Sequence, residues 1–239
     1  MAPALSATAT ALSVSATIPP VPFRRIVDLS MPIDAHTPFY PGDPQPRVCA
    51  ATTIAREGVN VLRLDLGSHT GTHCDAPFHF LAGGLKLDEL PLERFVGPGL
   101  VVDCTAVAAR APITWELLES HPVEPGTIVL LRTGWDVRAT ASTTFDHPFL
   151  DGEACRQLLG LGVRTIGIDA INLDETPLGE LDRDRFPCHD AVSRAGGVIV
   201  ENLVNLGAVD FPDPWVSVLP LHVPGADGAP TRAVALERS

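Results

Sequence analysis

The alternation of hydrophobic and polar positions predicts a chain built mainly from short β-strands. Between Val61 and Leu66 every second residue is leucine, which places Leu62, Leu64 and Leu66 on one face of an extended segment. Other segments are apolar at almost every position, and such runs are typical of strands buried on both faces. We therefore predict strands over residues 25–29, 61–66, 100–103, 126–131, 165–169, 197–200 and 216–219.

Two segments have the pattern of short helices. Thr114 can cap a helix over residues 115–120, and Asp151 can cap a second helix that is stopped by Gly160 and Gly162. The 23 prolines and 20 glycines indicate many tight turns, which suit a curved sheet better than a bundle of long helices. The predicted fold is α/β, a single domain in which helices flank a curved or barrel-like mixed β-sheet.

The N-terminal residues differ in composition from the rest of the chain. Residues 1–22 are rich in Ala, Ser and Thr, and no Lys or Arg precedes an apolar stretch as it would in a secretory signal. This composition predicts a flexible arm over residues 1–22. Because no repeat or charge block marks an internal linker, we predict one domain over residues 23–239.

The charge and the cysteine content indicate which binding partners and which redox compartment to expect. The chain carries 17 Lys and Arg against 29 Asp and Glu, a formal net charge of −12, which opposes binding to nucleic acid and to anionic membranes. No window reaches the roughly 18 to 20 uninterrupted apolar residues of a membrane-spanning helix. The five cysteines are widely spaced and form no CxxC pair, which favours a reducing cytoplasm over a disulfide framework.

The segment 68–80 concentrates side chains that can bind a metal. Three of the eight histidines and one carboxylate fall within eleven residues, namely His69, His73, Asp75 and His79. Gly71 and Pro77 disfavour a helix, so we expect an extended loop that bends at these two positions. In an extended chain the four metal-binding candidates share one face, and the opposite face carries the packing residues Cys74, Phe78 and Phe80.

These residue types point to a catalytic metal rather than a structural one. Two imidazoles and a carboxylate leave coordination positions open, a set that suits Zn²⁺ or Mn²⁺. Farther along the chain, Glu201 directly follows the apolar run 198–200 and lies twelve residues after His189. A carboxylate in such a run is costly to bury unless it is paired, hydrogen-bonded or bound to a cation.

The remaining candidates have structural interpretations. No partner spacing accompanies the other histidines, which are His36, His121, His147 and His222. Adjacent side chains of an extended segment point apart, so Cys74 and Cys188 are interpreted as packing residues rather than nucleophiles. Asp169 and Asp174 are expected to accept backbone hydrogen bonds in the turns that follow strands.

The sequence HTGTHCDAPFHF, residues 69–80, resembles the HxGTHxDxPxH signature of the metal-dependent cyclase family, which includes bacterial kynurenine formamidase and isatin hydrolase. Weaker similarities follow in the family order over about residues 25–237. They comprise residues 28–30, 40–43, 133–135, 167–169, 201–206 and 219–221. The resemblance implies a swivelling β/β/α, cyclase-like fold and an arylformamidase-like amidohydrolase that acts in tryptophan catabolism.

The resemblance also implies roles for individual residues. His69, His73 and Asp75 would bind one metal, with Asp75 bridging to a second metal held by His189 and Glu201, and His79 would be the general acid/base. The presence of both His189 and Glu201 favours two Zn²⁺ ions per chain, as in the formamidases, over one; Mn²⁺ is the other candidate. Phe39 and Tyr40 are candidate substrate-binding residues, at a position where kynurenine formamidases favour Trp, and Asn172 stands where many relatives have Ser. A homodimer or homotetramer is the implied assembly.

Three functional hypotheses remain open from the sequence. The first is hydrolysis of a C–N bond in an aromatic formamide or amide by metal-bound hydroxide. The second uses the same site to open an isatin, imide or lactone ring, or to close one in a biosynthetic pathway. The third is a metal-bound binding protein without turnover.

Overall fold

A mixed β-sheet of nine strands forms the centre of the fold. The computed structural model describes residues 22–177 and 185–239, so the predicted arm lies outside the described residues apart from Pro22. The strands of the sheet are β1 (Phe23–Asp28), β4 (His73–Asp75), β5 (Val96–Asp103), β7 (Ile128–Arg132), β9 (Thr165–Ile168), β10 (Val198–Glu201), β11 (Trp215–Ser217), β12 (Gly228–Pro230) and β13 (Val234–Arg238). The sheet is curled and open, with strand order β1-β13-β11-β5-β7-β9-β10-β4-β12.

The middle of the sheet is parallel and its two sides are antiparallel. Strands β5, β7, β9 and β10 run parallel to one another. On one side β11 pairs antiparallel with β5, and on the other β4 pairs antiparallel with β10. The carboxyl ends of the parallel strands therefore share one edge of the sheet, which is where open α/β sheets carry their ligand sites.

The continuously apolar strands have this composition because both faces of the sheet are covered. In β7, Ile128 and Leu130 pack into one hydrophobic cluster, whereas Val129 and Leu131 pack into a second cluster on the opposite face. All four side chains are almost fully buried. Truncating such a leucine to alanine typically costs about 2–5 kcal/mol of stability. The sheet is thus a rigid platform for residues at its edge.

Among the described residues, five short helices flank the sheet: α1 (Ile54–Glu57), α2 (Trp115–Leu118), α3 (Trp135–Arg138), α4 (Gly152–Gly160) and α5 (Pro187–Arg194). Asp151 caps α4, as predicted, and accepts the backbone N–H groups of Glu153 and Ala154. Thr114 precedes α2, but its side chain makes no capping hydrogen bond. Within the described ranges, no helix has the length and apolar character that a membrane span requires.

A β-hairpin projects from the domain with most of its surface exposed. It consists of β2 (Arg47–Thr52) and β3 (Val61–Asp65), and Leu62 and Leu64 of β3 are 62% and 60% exposed. The alternating leucines predicted this strand correctly, but their face is not buried by the described part of this chain. A second small sheet joins β6 (Pro112–Ile113) to β8 (Phe149–Leu150).

The predicted fold class is confirmed: a single α/β domain with a curled mixed sheet and flanking helices. All seven predicted strands are present with end points shifted by a few residues. The sequence analysis missed β2, β4, β6, β8, β12 and β13, and it missed helices α1, α3 and α5. These elements are short or lack a clear hydrophobic period, so their formation depends on neighbours that are distant in sequence.

Candidate active site

The site is built where β10 ends beside the start of β4. Glu201 and His73 are register partners in this antiparallel pair, and Asp75 is paired with Ile199. Strand β12 flanks β4 on its other side and pairs Gly228 with Asp75. The three strands therefore bring together residues from positions 73, 201 and 228 of the chain.

The segment 69–79 bends where the sequence predicts. Gly71 has a positive φ of 65°, which glycine adopts without strain, and Pro77 begins a 3-10 turn over Pro77–His79. Between them, β4 alternates as expected: Cys74 is buried in the core, while His73 and Asp75 face the site. One expectation was wrong, because Phe80 lines the site cavity and packs against His189 with ring centroids 4.6 Å apart. The 3-10 turn interrupts the strand period before residue 80.

One cluster consists of His69, His73 and Asp75, whose potential ligand atoms all lie within 4.8 Å of one another. Nδ1 of His69 is 2.6 Å from Oδ1 of Asp75, and Nε2 of His73 is 3.3 Å from the same oxygen. The Nδ1–H of His73 donates to the carbonyl of Gly71 at 2.8 Å. In the neutral ring that binds a metal, this bond leaves Nε2 of His73 as the lone-pair nitrogen that faces the cluster.

A second group adjoins the first through Asp75. Nε2 of His189 lies 3.6 Å from Oδ2 of Asp75 and 3.5 Å from Oε1 of Glu201. Glu201 also lies 3.6 Å from Nε2 of His73, and it accepts the backbone N–H of Leu173 at 2.8 Å. The five predicted metal ligands are thus brought together: the three histidines lie around the two oxygens of Asp75, and Glu201 lies beside His73 and His189.

Asp174 holds His189 from behind. It accepts the backbone N–H groups of Cys188 and His189 at the start of α5. The sequence predicted backbone donors for Asp174, but in the turn directly after its strand and not 14 and 15 residues farther along the chain. Asp174 also accepts the imidazole Nδ1–H of His189 at 2.7 Å, so Nε2 is the nitrogen turned toward Asp75. Asp169 likewise accepts the backbone N–H groups of Thr133 and Gly134. The sequence interpretation did not identify the contact between Asp174 and His189, since the spacing 174–189 follows no metal-binding motif.

The carboxylates and imidazoles strongly perturb one another. Burial raises the pKa of Glu201 to about 7, and the negative charge of Asp75 adds to this effect. Burial disfavours the charged form of Asp75 as well, but the charges of His69 and His73 outweigh it and hold the pKa of Asp75 well below its usual range. Burial also disfavours protonation of His69, yet Asp75 and Asp227 together raise its pKa to about 10.

The donor set fits a divalent cation. Asp75 is buried, and its Oδ2 atom has no hydrogen-bond partner among residues 22–177 and 185–239. A buried carboxylate oxygen normally has partners, because leaving it unpaired is costly. A cation shared by Asp75 and the surrounding nitrogen atoms would satisfy this oxygen and neutralise the adjacent carboxylates.

His79 lies beside this group at the wall of a cavity. Its side chain is 31% exposed, and its ring centroid is 4.1 Å from that of His69. The cavity has a volume of about 460 Å³. The predicted residues Phe39 and Tyr40 line it together with Asn172 and with further apolar side chains, which are Phe80, Ile171 and Phe186. Burial is the main cause that raises the pKa of the Tyr40 hydroxyl, and the charge of Glu201 raises it further. Tyr40 is therefore neutral at physiological pH.

Sequence reasoning missed Asp227. Its Oδ2 lies 3.0 Å from Nε2 of His69 and 3.6 Å from Nδ1 of His79. The hydrogen bond from His69, with His79 beside it, holds the pKa of Asp227 well below its usual range. Asp227 lies in a glycine-containing loop without hydrophobic periodicity, so the sequence pattern does not mark it. Only the pairing of β12 with β4 shows that it lies at the site.

The histidines interpreted as structural lie outside this group. Among them, His147 is buried and hydrogen-bonded to Pro148 and Thr176.

Comparison with known proteins assigns the family. Residues 27–175 match the family described as "Putative cyclase". The chain is 34% identical over 209 residues to a kynurenine formamidase from Geobacillus thermodenitrificans, a match that covers 87% of this chain and 95% of the relative. Isatin hydrolase A from Labrenzia aggregata has a similar fold, with a TM-score of 0.80, 26% identity, and coverage of 90% of this chain and 94% of that one. A "predicted metal-dependent hydrolase" from Bacillus stearothermophilus gives a TM-score of 0.70 at 30% identity, over 90% of this chain and 98% of its own. The chain belongs to the cyclase family, as its histidine motif predicts.

Proposed function

We propose that this protein is a metal-dependent hydrolase that cleaves the C–N bond of an aromatic formamide or amide. The observation that carries the proposal is the convergence of three imidazoles on the buried carboxylate of Asp75, with Glu201 beside two of them and a cavity with aromatic walls next to the group. The similarity to a kynurenine formamidase along 87% of the chain supports this substrate class.

In this proposal His69, His73 and Asp75 would hold one divalent cation, and Asp75 would share a second with His189 and Glu201. Imidazole nitrogen and carboxylate oxygen donors suit Zn²⁺, and Mn²⁺ is the other candidate. A divalent cation in this site supplies Lewis-acid chemistry, because it makes water more acidic and polarises a carbonyl group. Asp174 and Gly71 contribute by fixing the ring orientations of His189 and His73.

His79 would act as the general acid that donates a proton to the departing nitrogen during C–N cleavage. Its Nδ1 atom faces Asp227, so Nε2 is the nitrogen available to the substrate. Protonation of the departing nitrogen converts a poor leaving group into a neutral amine, a contribution of typically about 10²- to 10⁴-fold in rate. The position of His79 at the cavity wall supports this role.

The cavity would bind the aromatic part of the substrate. Phe39 and Tyr40 form one part of its wall, and Phe80 and Phe186 form another, with ring centroids 5.5 Å apart. Aromatic walls favour a flat aromatic ligand through stacked and edge-to-face contacts. The neutral Tyr40 hydroxyl and the Asn172 amide supply polar contacts that would orient the substrate.

Opening of a cyclic amide such as isatin is the second candidate. The observation that favours it is the TM-score of 0.80 with isatin hydrolase A. Opening and closing of such a ring proceed through the same addition step, so a biosynthetic cyclase would use the same residues. The two candidates differ in whether the scissile C–N bond is part of a ring.

A substrate panel with metal analysis tests the proposal. Purified protein would be assayed with N-formylkynurenine, isatin, cyclic imides and lactones, before and after chelation, and its metal content determined. Turnover of the formamide that chelation abolishes and zinc restores is the expected result. Turnover of isatin alone would select the second candidate. Metal-loaded protein that is inert toward the whole panel would contradict both and favour a binding protein.

We further propose that the chain forms a homo-oligomer in the cytoplasm. A two-stranded hairpin on its own has marginal stability in water, yet the hairpin of β2 and β3 exposes Leu62, Leu64 and Val61. Contact with a second copy would bury this apolar surface. The cytoplasmic location is supported by the five cysteines, all of which are free thiols.

A further inference from the structure

Each histidine proposed as a metal ligand has one ring nitrogen held by a group outside the ligand set. For His73 this group is the Gly71 carbonyl, and for His189 it is the Asp174 carboxylate. For His69 it is Asp227, whose Oδ2 lies 3.0 Å from Nε2. Such outer partners fix the tautomer and orientation of a metal-binding imidazole. Asp227 differs from the other two because it also faces His79.

Asp227 is held firmly by its backbone. Its carbonyl accepts the N–H of Ala76, directly after β4, and the neighbouring Ala226 carbonyl accepts the N–H of Leu87. The N–H of Gly225 donates to the side chain of Asp88 at 2.9 Å. The loop before β12 is therefore anchored at three consecutive residues, so the Asp227 carboxylate presents a fixed acceptor to the two imidazoles.

The next residue, Gly228, brings the loop close to His69. A Cβ atom at Gly228 would lie 2.8 Å from Cε1 of His69 and 2.7 Å from the carbonyl oxygen of Cys74. These distances are too short for any side chain at this position. The absence of a Cβ lets the His69 ring lie against the β12 backbone, within reach of Asp227.

We propose that Asp227 is a positioning residue that couples the metal site to the proton-transferring histidine. It accepts Nε2–H of His69, which turns Nδ1 of His69 toward Asp75, and its carboxylate aligns the Nδ1 side of His79. One carboxylate thus sets the orientation of a metal ligand and of the general acid/base. This inference rests on the proposed function, since it assigns Asp227 a part in the same site.

Asp227→Asn and Asp227→Ala test this assignment. Asn keeps the shape and an acceptor oxygen but loses the charge, whereas Ala loses both. We expect zinc affinity, measured by competition with a chromophoric chelator, to fall in the order wild type, Asn, Ala, with a loss of about 10- to 100-fold for Ala. We expect kcat of the zinc-saturated variants to fall in the same order, while KM stays within about twofold because Asp227 is not placed in the substrate contacts.

Asp88→Asn is the matched control. It weakens the anchor of the same loop at Gly225 but removes no group that faces the histidines. Wild-type zinc affinity and kcat in this control, with the graded loss at Asp227, would support the inference. Equal losses in Asp88→Asn and Asp227→Asn would overturn it in favour of a loop-packing role. Unchanged zinc affinity and kcat in Asp227→Ala, with an active wild type, would overturn this inference alone. Wild-type protein that neither binds zinc nor hydrolyses the panel would overturn the proposed function and this inference with it.

Discussion

Glu201 and His73 face each other across the β10–β4 pair, although they lie 128 positions apart in the chain. Their side chains approach to 3.6 Å between Oε2 and Nε2 on the site side of the sheet. The cyclase-family motif supplies His73, and the last residue of a buried parallel strand supplies Glu201. This pairing joins the two halves of the proposed two-metal centre. Loss of the Glu201 carboxylate should therefore leave the first metal bound without the second.

Glu201→Gln should reduce the metal content from two equivalents per chain to one. Glutamine keeps the shape and the hydrogen bond from Leu173, but it removes the negative charge that a second cation requires. Elemental analysis after gel filtration measures the stoichiometry. Glu175→Gln, an exposed carboxylate that pairs with Arg110, serves as the control and should keep two equivalents. Two tightly held ions in Glu201→Gln would contradict the assignment of Glu201.

His79→Ala should retain its metal and lose turnover. The alanine variant lacks the imidazole that borders the cavity, but none of the five proposed ligands changes. We expect kcat to fall by about 10²- to 10⁴-fold at unchanged zinc content, measured on the same preparation by steady-state kinetics and elemental analysis. His36→Ala is the control and should behave as wild type. A wild-type kcat in His79→Ala would remove His79 from the proton-transfer role.

Gly228→Ala should damage the site although it adds a single methyl group. The new Cβ would collide with the His69 ring and the Cys74 carbonyl, and overpacking of this kind typically costs about 1–3 kcal/mol of stability. We expect weaker zinc binding and a lower midpoint in urea unfolding. Gly83→Ala is the control, because a methyl group there would have no described atom within 4 Å beyond its chain neighbours. Equal behaviour of the two variants would show that the close approach at Gly228 has no consequence.

His147→Gln should make the free energy of unfolding less dependent on pH. Burial is the main reason that the pKa of His147 is lowered to about 4, against about 6.5 in an unfolded chain. The unfolded chain therefore binds the proton first as the pH falls, so the stability contribution of neutral His147 is complete above pH 6.5 and is lost progressively toward pH 4. The loss is on the order of 3 kcal/mol.

Urea unfolding at about pH 7 and about pH 4.5, on either side of the ordinary histidine pKa, measures this effect. The free energy of unfolding should fall less between these two values in His147→Gln than in wild type. The exposed His222 is the control position, and His222→Gln should follow wild type. Parallel curves for wild type and His147→Gln would refute the role of His147 in acid sensitivity.

The combined substitution Leu62→Glu and Leu64→Glu should dissociate the proposed oligomer. Both side chains are exposed on β3 in the single chain, so charge at these positions should be tolerated by the fold and opposed only by a partner. Light scattering coupled to gel filtration measures the mass. The exposed residues Leu92 and Val137 are not part of the hairpin and provide the control double substitution to Glu. A wild type that is already monomeric would contradict the oligomer proposal.

Residues close together in sequence determined much of what could be predicted. The histidine motif lies within one short segment, so its four metal-binding candidates could be identified from spacing and residue type alone. The apolar runs of β7 and β9 identified buried parallel strands, because a strand covered on both faces needs no polar positions. Asp151 could be identified as a helix cap because capping is a local interaction.

The tertiary structure decided which of these groups meet and how each is oriented. Asp227 reaches His69 only because β12 pairs with β4, and Asp174 holds His189 only because α5 starts beside the loop that follows β9. Phe80 turned into the cavity because a 3-10 turn broke the alternation that the sequence pattern assumed. Spacing and periodicity describe contacts within a few residues, whereas the shape of a metal site depends on strand pairing between segments that are more than a hundred residues apart.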